Sequence, residues 1–312
     1  MRVVFFGTPE FAVPSLERLI ASRHEVVRVV SRPDKPVGRQ QLVAPPAVVQ
    51  AALRHGIEAW QPASLKGEQA AAELTALAAE AAVVVAYGRL IPEGMLVIPR
   101  HGFVNLHPSL LPRHRGPSPI QWALVCGDRR TGVTTMLLDK GLDTGPILLQ
   151  RRMEIDPRDT AELLAPRLAE LGAGLLVETL DGLEAGTLTS RPQPEDGANL
   201  TPMLRREFGK VDWSMPARQL VNRLRGLTPW PGLYATFRGS RLKIFGLEEV
   251  VPPPAGDEHP GSVLAADAAG VMVRCGRGSA ARITEMQREG RRRLPADAFQ
   301  IGERVSRGER FG

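Results

Sequence analysis

The sequence predicts an α/β fold, in which a mainly parallel sheet packed with helices is followed by a small β-barrel. The first prediction rests on short apolar runs that alternate with helix-like stretches over residues 1–187 of the 312. The second rests on short β-like runs at close spacing in the last third of the chain. Alternating strands and helices are typical of parallel sheets, and closely spaced short strands are typical of barrels.

The elements of the first part alternate from the amino terminus onward. Short runs rich in β-branched and apolar residues predict strands at VVFF (3–6), EVVRVVS (25–31), VVVAYG (83–88) and GFVNLH (102–107). Helices are predicted between them at PSLERLIAS (14–22) and at the Ala- and Glu-rich stretch EQAAAELTALAAEAA (68–82).

The composition changes towards the carboxyl terminus. Residues 188–206 are polar, contain several Pro and Gly residues and have no periodicity, which predicts a linker. One helix is predicted at DWSMPARQLVNRLRGL (212–227). Strands are predicted at YATFRG (234–239), RLKIFGLEEVV (241–251), GSVLAAD (261–267), GVMVRCG (270–276) and ARITEMQ (281–287). The predicted domains are therefore residues 1–187 and 207–312.

Composition narrows the class of protein. Apolar residues make up 43% of the chain, yet no apolar run reaches the roughly 18 residues of a membrane span. The chain enters a strand at its start without a signal or transit pattern, so we expect a cytoplasmic protein with no membrane partner. Cys126 and Cys275 match no metal-ligand spacing, and we expect both to be buried free thiols.

The net charge of +6 is unevenly distributed. Residues 1–190 hold 20 Lys and Arg against 20 Asp and Glu, whereas residues 191–312 hold 20 against 14. A basic excess confined to one part of a chain indicates a polyanionic partner for that part, although solubility alone also produces such a charge.

The strand GFVNLH carries the first candidate site. Side chains alternate along a strand, so Asn105 and His107 lie on one face and Val104 and Leu106 on the other. Ligands of parallel sheets bind beyond the carboxyl ends of strands, where this polar pair is placed. A hydrogen-bonded structural role is the alternative.

A second polar group lies in LLDKGLDTGPILLQ, where Asp139 ends an apolar run and Asp143 lies in a Gly-bounded loop. Asn, His and Asp together suit acyl or formyl transfer to an amine. His acts as a base or as a donor to the carbonyl, Asp orients and stabilises it, and Asn donates to an oxyanion. Spacing alone does not join Asp143 to His107.

Five stretches, in this order, resemble the methionyl-tRNA formyltransferase family of 10-formyltetrahydrofolate-using enzymes. They are GTPEFA (7–12), VAYGRLIP (85–92), NLHPSLLPRHRG (105–116), DKGLDTG (139–145) and DWS (212–214) before PWPG (229–232). The resemblance spans nearly the whole chain. It implies a Rossmann-like catalytic domain, a linker and an OB-like carboxyl-terminal domain that binds tRNA.

The resemblance also implies roles for particular residues. The catalytic residues fall on Asn105, His107 and Asp143. The folate-binding turn falls on four consecutive residues, Ser109, Leu110, Leu111 and Pro112. The loop after the second strand meets the tRNA acceptor end in the family, which implies a tRNA contact for Arg39, although Gln40 and Gln41 stand where a basic pair is expected.

The predicted activity is transfer of the formyl group of 10-formyltetrahydrofolate to the α-amino group of initiator methionyl-tRNA by direct attack of the amine. No metal is expected, because no group of residues has ligand spacing, and we expect a monomer. Two alternatives remain at this stage. One is a formyltransferase acting on a small amine such as a nucleotide sugar, and the other is a non-catalytic RNA-binding protein.

Overall fold

The computed structural model describes residues 1–37 and 42–312, which form two compact units. The first unit consists of Met1–Pro119, Arg130–Glu154 and Ala165–Thr201. The second consists of Ile120–Arg129, Ile155–Leu164 and Pro202–Gly312. The last crossing between the units, at residues 201 and 202, lies within the segment predicted as a linker.

A seven-stranded, mainly parallel sheet forms the centre of the first unit, as predicted. Its order is β5-β2-β1-β6-β7-β8-β9, and it is parallel from β5 to β7 and antiparallel from β7 to β9. A separate hairpin pairs β3 with β4. The strands are β1 (Arg2–Gly7), β2 (Glu25–Val30), β3 (Lys35–Val37), β4 (Leu42–Ala44), β5 (Ala59–Trp60), β6 (Ala81–Val85), β7 (Phe103–His107), β8 (Arg130–Leu137) and β9 (Ile147–Glu154).

Three helices of the described residues lie in the first unit, α1 (Val13–Ile20), α2 (Ala47–Arg54) and α3 (Glu68–Ala76). Most of α4 (Pro119–Val125) belongs to the second unit, and most of α5 (Ala161–Glu184) to the first. The helix predicted over 68–82 is shorter than expected and ends at Ala76. It ends there because Ala78 has a positive φ of 47°. A residue in that conformation cannot continue a right-handed helix. The remaining part of the Ala-rich run, from Ala81, enters β6.

The strand order changes direction beside β1. The chain runs outward from β1 to β2 and β5, then returns to place β6 on the other side of β1. Ligands bind at such a switch point, outside the carboxyl ends of the strands. There the Thr8 hydroxyl donates to the carbonyl of Tyr87, 3.0 Å away, and burial raises the pKa of the Tyr87 phenol. Because β7 pairs with β6 in parallel, His107 at the carboxyl end of β7 lies at the same edge of the sheet.

The second unit contains an antiparallel sheet of six strands, which confirms the five strands predicted from the sequence. The sheet order is β10-β11-β14-β13-β12, with β15 paired to β14. The elements are α6 (Ala217–Leu227), β10 (Leu233–Phe237), β11 (Ser240–Val250), β12 (Val263–Asp267), β13 (Gly270–Arg274), β14 (Ala280–Arg288), β15 (Leu294–Pro295) and α7 (Ala296–Glu303). The helix predicted from residue 212 begins only at Ala217, because the Asp212 carboxylate accepts the backbone and hydroxyl protons of Ser214 in a turn.

The last residues of the chain bridge the two outer strands of this sheet. Phe311 pairs with Phe237 of β10, and Arg310 pairs with Ser262 beside β12. The Phe311 ring stacks on Phe237 at 4.6 Å and meets Trp213 at 5.8 Å, so the closure is made over a buried aromatic cluster. Covering both edges removes unpaired backbone groups, as barrels do.

The cysteines differ from each other in burial. Cys275 is buried as expected, and burial raises the pKa of its thiol to about 12. Cys126 is exposed, so the expectation of a second buried thiol is wrong. Within the described ranges, no helix has both the length and the apolar character needed to cross a membrane.

Candidate functional site

Asn105 and His107 lie on the same face of β7, as the alternation predicts. Both are buried, at 8% and 5% exposed. Asn105 is in register with Val84 of β6 and with Met136 of β8, so the strand is fixed on both sides. Among residues 1–37 and 42–312, none hydrogen-bonds the Asn105 side-chain amide. This amide is therefore a donor that a ligand can use, on a strand whose backbone is held on both sides.

The ring of His107 is oriented by the turn that follows β7. Its Nε2 lies 2.9 Å from the carbonyl oxygen of His114. A carbonyl only accepts, so the proton of this contact is on Nε2. The other ring nitrogen, Nδ1, then lies 3.6 Å from Oδ2 of Asp143. This distance suits an ion pair between the carboxylate and a protonated imidazole but exceeds that of a good hydrogen bond. The Nδ1–H of the protonated ring is therefore not committed to Asp143 and remains available to a substrate.

The loop after β8 brings Asp143 to this position. Asp139 Oδ1 accepts the Thr144 hydroxyl at 2.8 Å, which closes the loop on itself. Asp143 has a positive φ of 55°, a conformation that Asp tolerates better than most residues. A Cβ at Gly145 would lie 1.8 Å from the carbonyl oxygen of Leu137, so only glycine allows the loop to return this closely to β8.

The Asp143 carboxylate is bound by the turn after β7. The backbone N–H of Gly116 donates to Oδ2 at 2.8 Å. Gly116 has a φ of 91°, and a Cβ there would lie 2.9 Å from the Thr201 carbonyl oxygen, so this donor requires glycine. In the part of the chain that the structure describes, Oδ1 has no hydrogen-bond partner, and the side chain is 14% exposed. Oδ1 is thus available to accept a proton.

The turn predicted to bind folate uses most of its groups within the protein. Ser109 is fully buried and donates its hydroxyl to the Arg113 carbonyl. Leu111 is 4% exposed and donates its N–H to the Thr134 hydroxyl at 3.2 Å. Leu110 approaches β8, and the Leu111–Pro112 peptide bond is cis.

Sequence reasoning missed the contribution of the segment predicted as a linker. Asn199 Oδ1 accepts the backbone N–H of His114 at 2.8 Å. The Gln193 amide donates to the carbonyls of Asp143 and Gly145, each at 2.8 Å. Arg115 donates to Gln193 at 2.9 Å, which gives this arginine a structural partner. Nothing in the aperiodic sequence around residues 191–201 signalled these contacts.

The predicted tRNA contact Arg39 lies outside the described residues. In the described part of the chain, Arg32 and Lys35 line a cavity of about 350 Å³ at the carboxyl ends of β1 and β2. Thr8 and Gln50 also line it. The cavity therefore presents two cations beside the switch point of the sheet.

Metal-ligand atoms also come together at residues far apart in the sequence. His24, Asp181 and Glu184 place such atoms within 4.8 Å of one another. Arg23 already pairs with Asp181 at 2.6 Å and with Glu184 at 2.9 Å. A built-in cation satisfies both carboxylates, so the cluster gives no argument for a metal ion.

The site as a whole combines a free amide donor, an oriented imidazole and a carboxylate with one unused oxygen. Asn105 and His107 can donate to an oxygen that gains negative charge, and Asp143 can accept a proton from an attacking group. No nucleophilic side chain is required for this chemistry. The arrangement suits transfer of a small acyl group to an amine.

Comparison with known proteins agrees with this chemistry. The Formyl transferase family matches residues 1–180, and the Formyl transferase, C-terminal domain family matches residues 203–304. The fold and the site are those of a group-transfer enzyme, and the chain belongs to the formyl transferase family.

Two curated relatives are similar over their full length, and both are named methionyl-tRNA formyltransferase. The protein from Solibacter usitatus is 46% identical over 312 residues, which cover 100% of this chain and 99% of the relative. The protein from Caldanaerobacter subterraneus subsp. tengcongensis is 44% identical, and the match covers 99% of both chains.

Solved structures share the fold at lower identity. An N-formyltransferase from Helicobacter canadensis, in complex with folinic acid and dTDP-3-aminofucose, has a TM-score of 0.66 at 17% identity, covering 92% of this chain and 98% of that one. HypX from Aquifex aeolicus, in complex with tetrahydrofolic acid, has a TM-score of 0.60 at 21% identity. That match covers 97% of this chain, which spans about half of HypX (47%).

We expect single substitutions at the three site residues to lower turnover without unfolding the protein. Asn105→Ala removes an oxyanion donor, which is worth roughly 10²–10³ in rate. His107→Ala removes a positioned acid–base group, worth roughly 10²–10⁴. Asp143→Asn keeps the shape but loses the charge, and its effect should be comparable. Steady-state formylation rates, with far-ultraviolet circular dichroism as the folding control, measure these effects. A decrease of less than about fivefold at both Asn105 and His107 would remove them from the chemistry.

Proposed function

We propose that this protein transfers the formyl group of 10-formyltetrahydrofolate to the α-amino group of initiator methionyl-tRNA. The observation that carries the proposal is the full-length similarity to methionyl-tRNA formyltransferases, at 46% identity. In the same chain Asn105 and His107 share a face of β7, and His107 lies 3.6 Å from Asp143. The expectation of a formyltransferase is confirmed. The approach of His107 to Asp143 argues against the alternative of a non-catalytic RNA-binding protein, which does not need this contact.

The site residues act on the amine and on the formyl oxygen. Asn105 Nδ2 and, in its protonated form, His107 Nδ1 donate to the oxygen as the α-amino nitrogen attacks the formyl carbon. Asp143 Oδ1 accepts the proton that the amine releases, and Oδ2 stays bound to Gly116. The bond between the formyl carbon and the folate nitrogen then breaks, and a proton returns to that nitrogen as the products separate.

The folate contact is assigned to the turn at residues 109–112. Ser109 and Leu111 are buried, and the carbonyls of Ser109, Leu110 and Leu111 accept hydrogen bonds within the protein. The turn therefore presents mainly the half-buried side chains of Leu110 and Pro112 to a pterin. The interior bonds of Ser109 and Leu111 keep that surface rigid, which lowers the entropic cost of binding.

The tRNA contact is assigned to the outer face of β11 together with the loop at 291–293. Arg241, Lys243 and Phe245 alternate along this face, whereas Leu242 and Ile244 are buried. The Arg241 guanidinium lies 3.7 Å from the centre of the Tyr234 ring.

The loop at 291–293 joins this face through Arg293, whose guanidinium lies 4.3 Å from the centre of the Phe245 ring. Cations interleaved with aromatic rings bind nucleic-acid backbones and stack on bases. The basic excess of residues 191–312 points the same way. Arg205, Arg206 and Lys210 are also exposed.

The acceptor preference is tested by offering two amines in parallel. Purified protein, 10-formyltetrahydrofolate and either methionyl-charged initiator tRNA or a dTDP-amino sugar are incubated, and formylated products are measured by mass spectrometry. We expect formylmethionyl-tRNA and no formylated sugar. Formylation of the sugar but not of the tRNA would assign the chain to the sugar-modifying branch, whose fold it shares.

The mode of tRNA binding is tested by salt dependence. Replacing residues 291–293 by Gln should weaken all tRNAs alike and flatten the plot of log affinity against log salt, by roughly 0.7–0.9 for each phosphate that is no longer neutralised. The matched variant with three Lys residues keeps the charge and should keep the slope.

Arg39→Ala should instead reduce discrimination between acceptor ends. Equal weakening of initiator and elongator tRNA by both changes would make Arg39 one more phosphate-binding residue.

A further inference from the structure

We propose that Gln193 and Gln150 are positioning residues that hold two walls of the site, Gln193 the Asp143 loop and Gln150 the turn at 109–112. Each side-chain amide joins an arginine to the backbone of one wall. The kinetic consequences rest on the proposed function, whereas the geometry does not.

The Gln193 amide uses both of its ends. Its NH₂ group donates to the carbonyls of Asp143 and Gly145, each at 2.8 Å, and its oxygen accepts Nε–H of Arg115 at 2.9 Å. The reverse orientation would set the amide oxygen against two carbonyls and the NH₂ against an arginine donor. Arg115 therefore fixes which end of Gln193 meets the loop.

The three hydrogen bonds of the Gln193 side chain, here called the Gln193 clamp, hold the backbone of the loop that carries Asp143. Asp143 is in the left-handed region, at a φ of 55°, and within the described residues its carboxylate has one backbone donor, Gly116. The hydrogen bonds to the carbonyls of residues 143 and 145 hold the backbone that directly follows the Asp143 side chain. Since a displacement of about 1 Å in a catalytic group costs on the order of 10²-fold in rate, removal of the clamp should appear in turnover.

Gln150 joins an arginine to the turn at 109–112 in the same way, and each such arginine–glutamine–backbone connection is here called a relay. Its NH₂ group donates to the Leu111 carbonyl at 2.9 Å and to the Thr134 hydroxyl at 3.0 Å. Its oxygen accepts from Arg191 at 3.1 Å. Thr134 in turn donates to the Ser109 carbonyl at 2.7 Å and accepts the Leu111 N–H. Gln150 therefore supports both ends of the buried part of the turn.

A single short segment supplies a member of each relay. Arg191 pairs with Ile147 at the start of β9 through two backbone hydrogen bonds of 2.8 Å, and Gln193 follows two residues later. The two relays serve different walls, so their removal should affect different kinetic constants. If residues 191–193 only stabilised the fold, the two substitutions would not separate into one effect on kcat and one on KM.

The test compares Gln193→Glu with Gln150→Glu. A carboxylate keeps the size and still accepts from the arginine, but it cannot donate to a carbonyl. For Gln193→Glu we expect kcat to fall by roughly 10–100-fold, with KM for 10-formyltetrahydrofolate within about twofold. For Gln150→Glu we expect that KM to rise by roughly 3–10-fold, with kcat within about threefold. Each variant is the control for the other.

A second readout does not depend on catalysis. Amide hydrogen exchange is followed by nuclear magnetic resonance with selectively labelled Gly and Leu. Gln193→Glu should speed exchange of the Gly116 amide by about tenfold and leave Leu111 unchanged, and Gln150→Glu should do the reverse. If the wild-type protein formylates no tRNA, the proposed function is wrong. The hydrogen-exchange rates of Gly116 and Leu111 still test whether Gln193 and Gln150 hold their segments. Unchanged protection of both amides, or equal changes of kcat, KM and thermal midpoint in both variants, would overturn this proposal.

Discussion

The approach of His107 Nδ1 to Asp143 Oδ2, at 3.6 Å, is the contact on which the site depends. Neither side chain reaches this position through its own element alone. The turn after β7 folds back and supplies the His114 carbonyl to the imidazole and the Gly116 amide to the carboxylate. One turn therefore sets the distance between a strand residue and a loop residue, and both of its contacts are backbone groups that a side-chain substitution leaves in place.

The sheet gives this turn a rigid base. β7 pairs with β6 on one side and with β8 on the other, so Asn105 and His107 lie on a strand held at both edges. The register with β8 sets Leu137, the last residue of β8, beside Val104 near the start of β7, and the following loop folds back to bring Asp143 to His107. Active sites on regular elements hold their geometry better than sites made of loops alone, and here only Asp143 comes from a loop.

Much of this could be predicted from the sequence because it is periodic or local. Alternation along GFVNLH placed Asn105 and His107 on one face, and β1, β2, β6 and the strands of the second unit lie where short apolar runs predicted them. Spacing did not join Asp143 to His107, since that contact spans 36 positions and no periodic signal records it; the family resemblance supplied it. Gln193 and Asn199 were missed for the same reason, because an aperiodic polar stretch predicts a linker whether or not its side chains reach back to a site.

The most direct test of the central claim is a double-mutant cycle between His107 and Asp143, measured as single-turnover formylation of methionyl-tRNA. If the two side chains act as one unit across 3.6 Å, the variant carrying both His107→Ala and Asp143→Asn should lose about as much rate as the worse single variant. The single variants and their combination should show the same thermal midpoint within error. A double variant whose rate decrease equals the product of the two single decreases would show that the residues act independently, and would contradict this account.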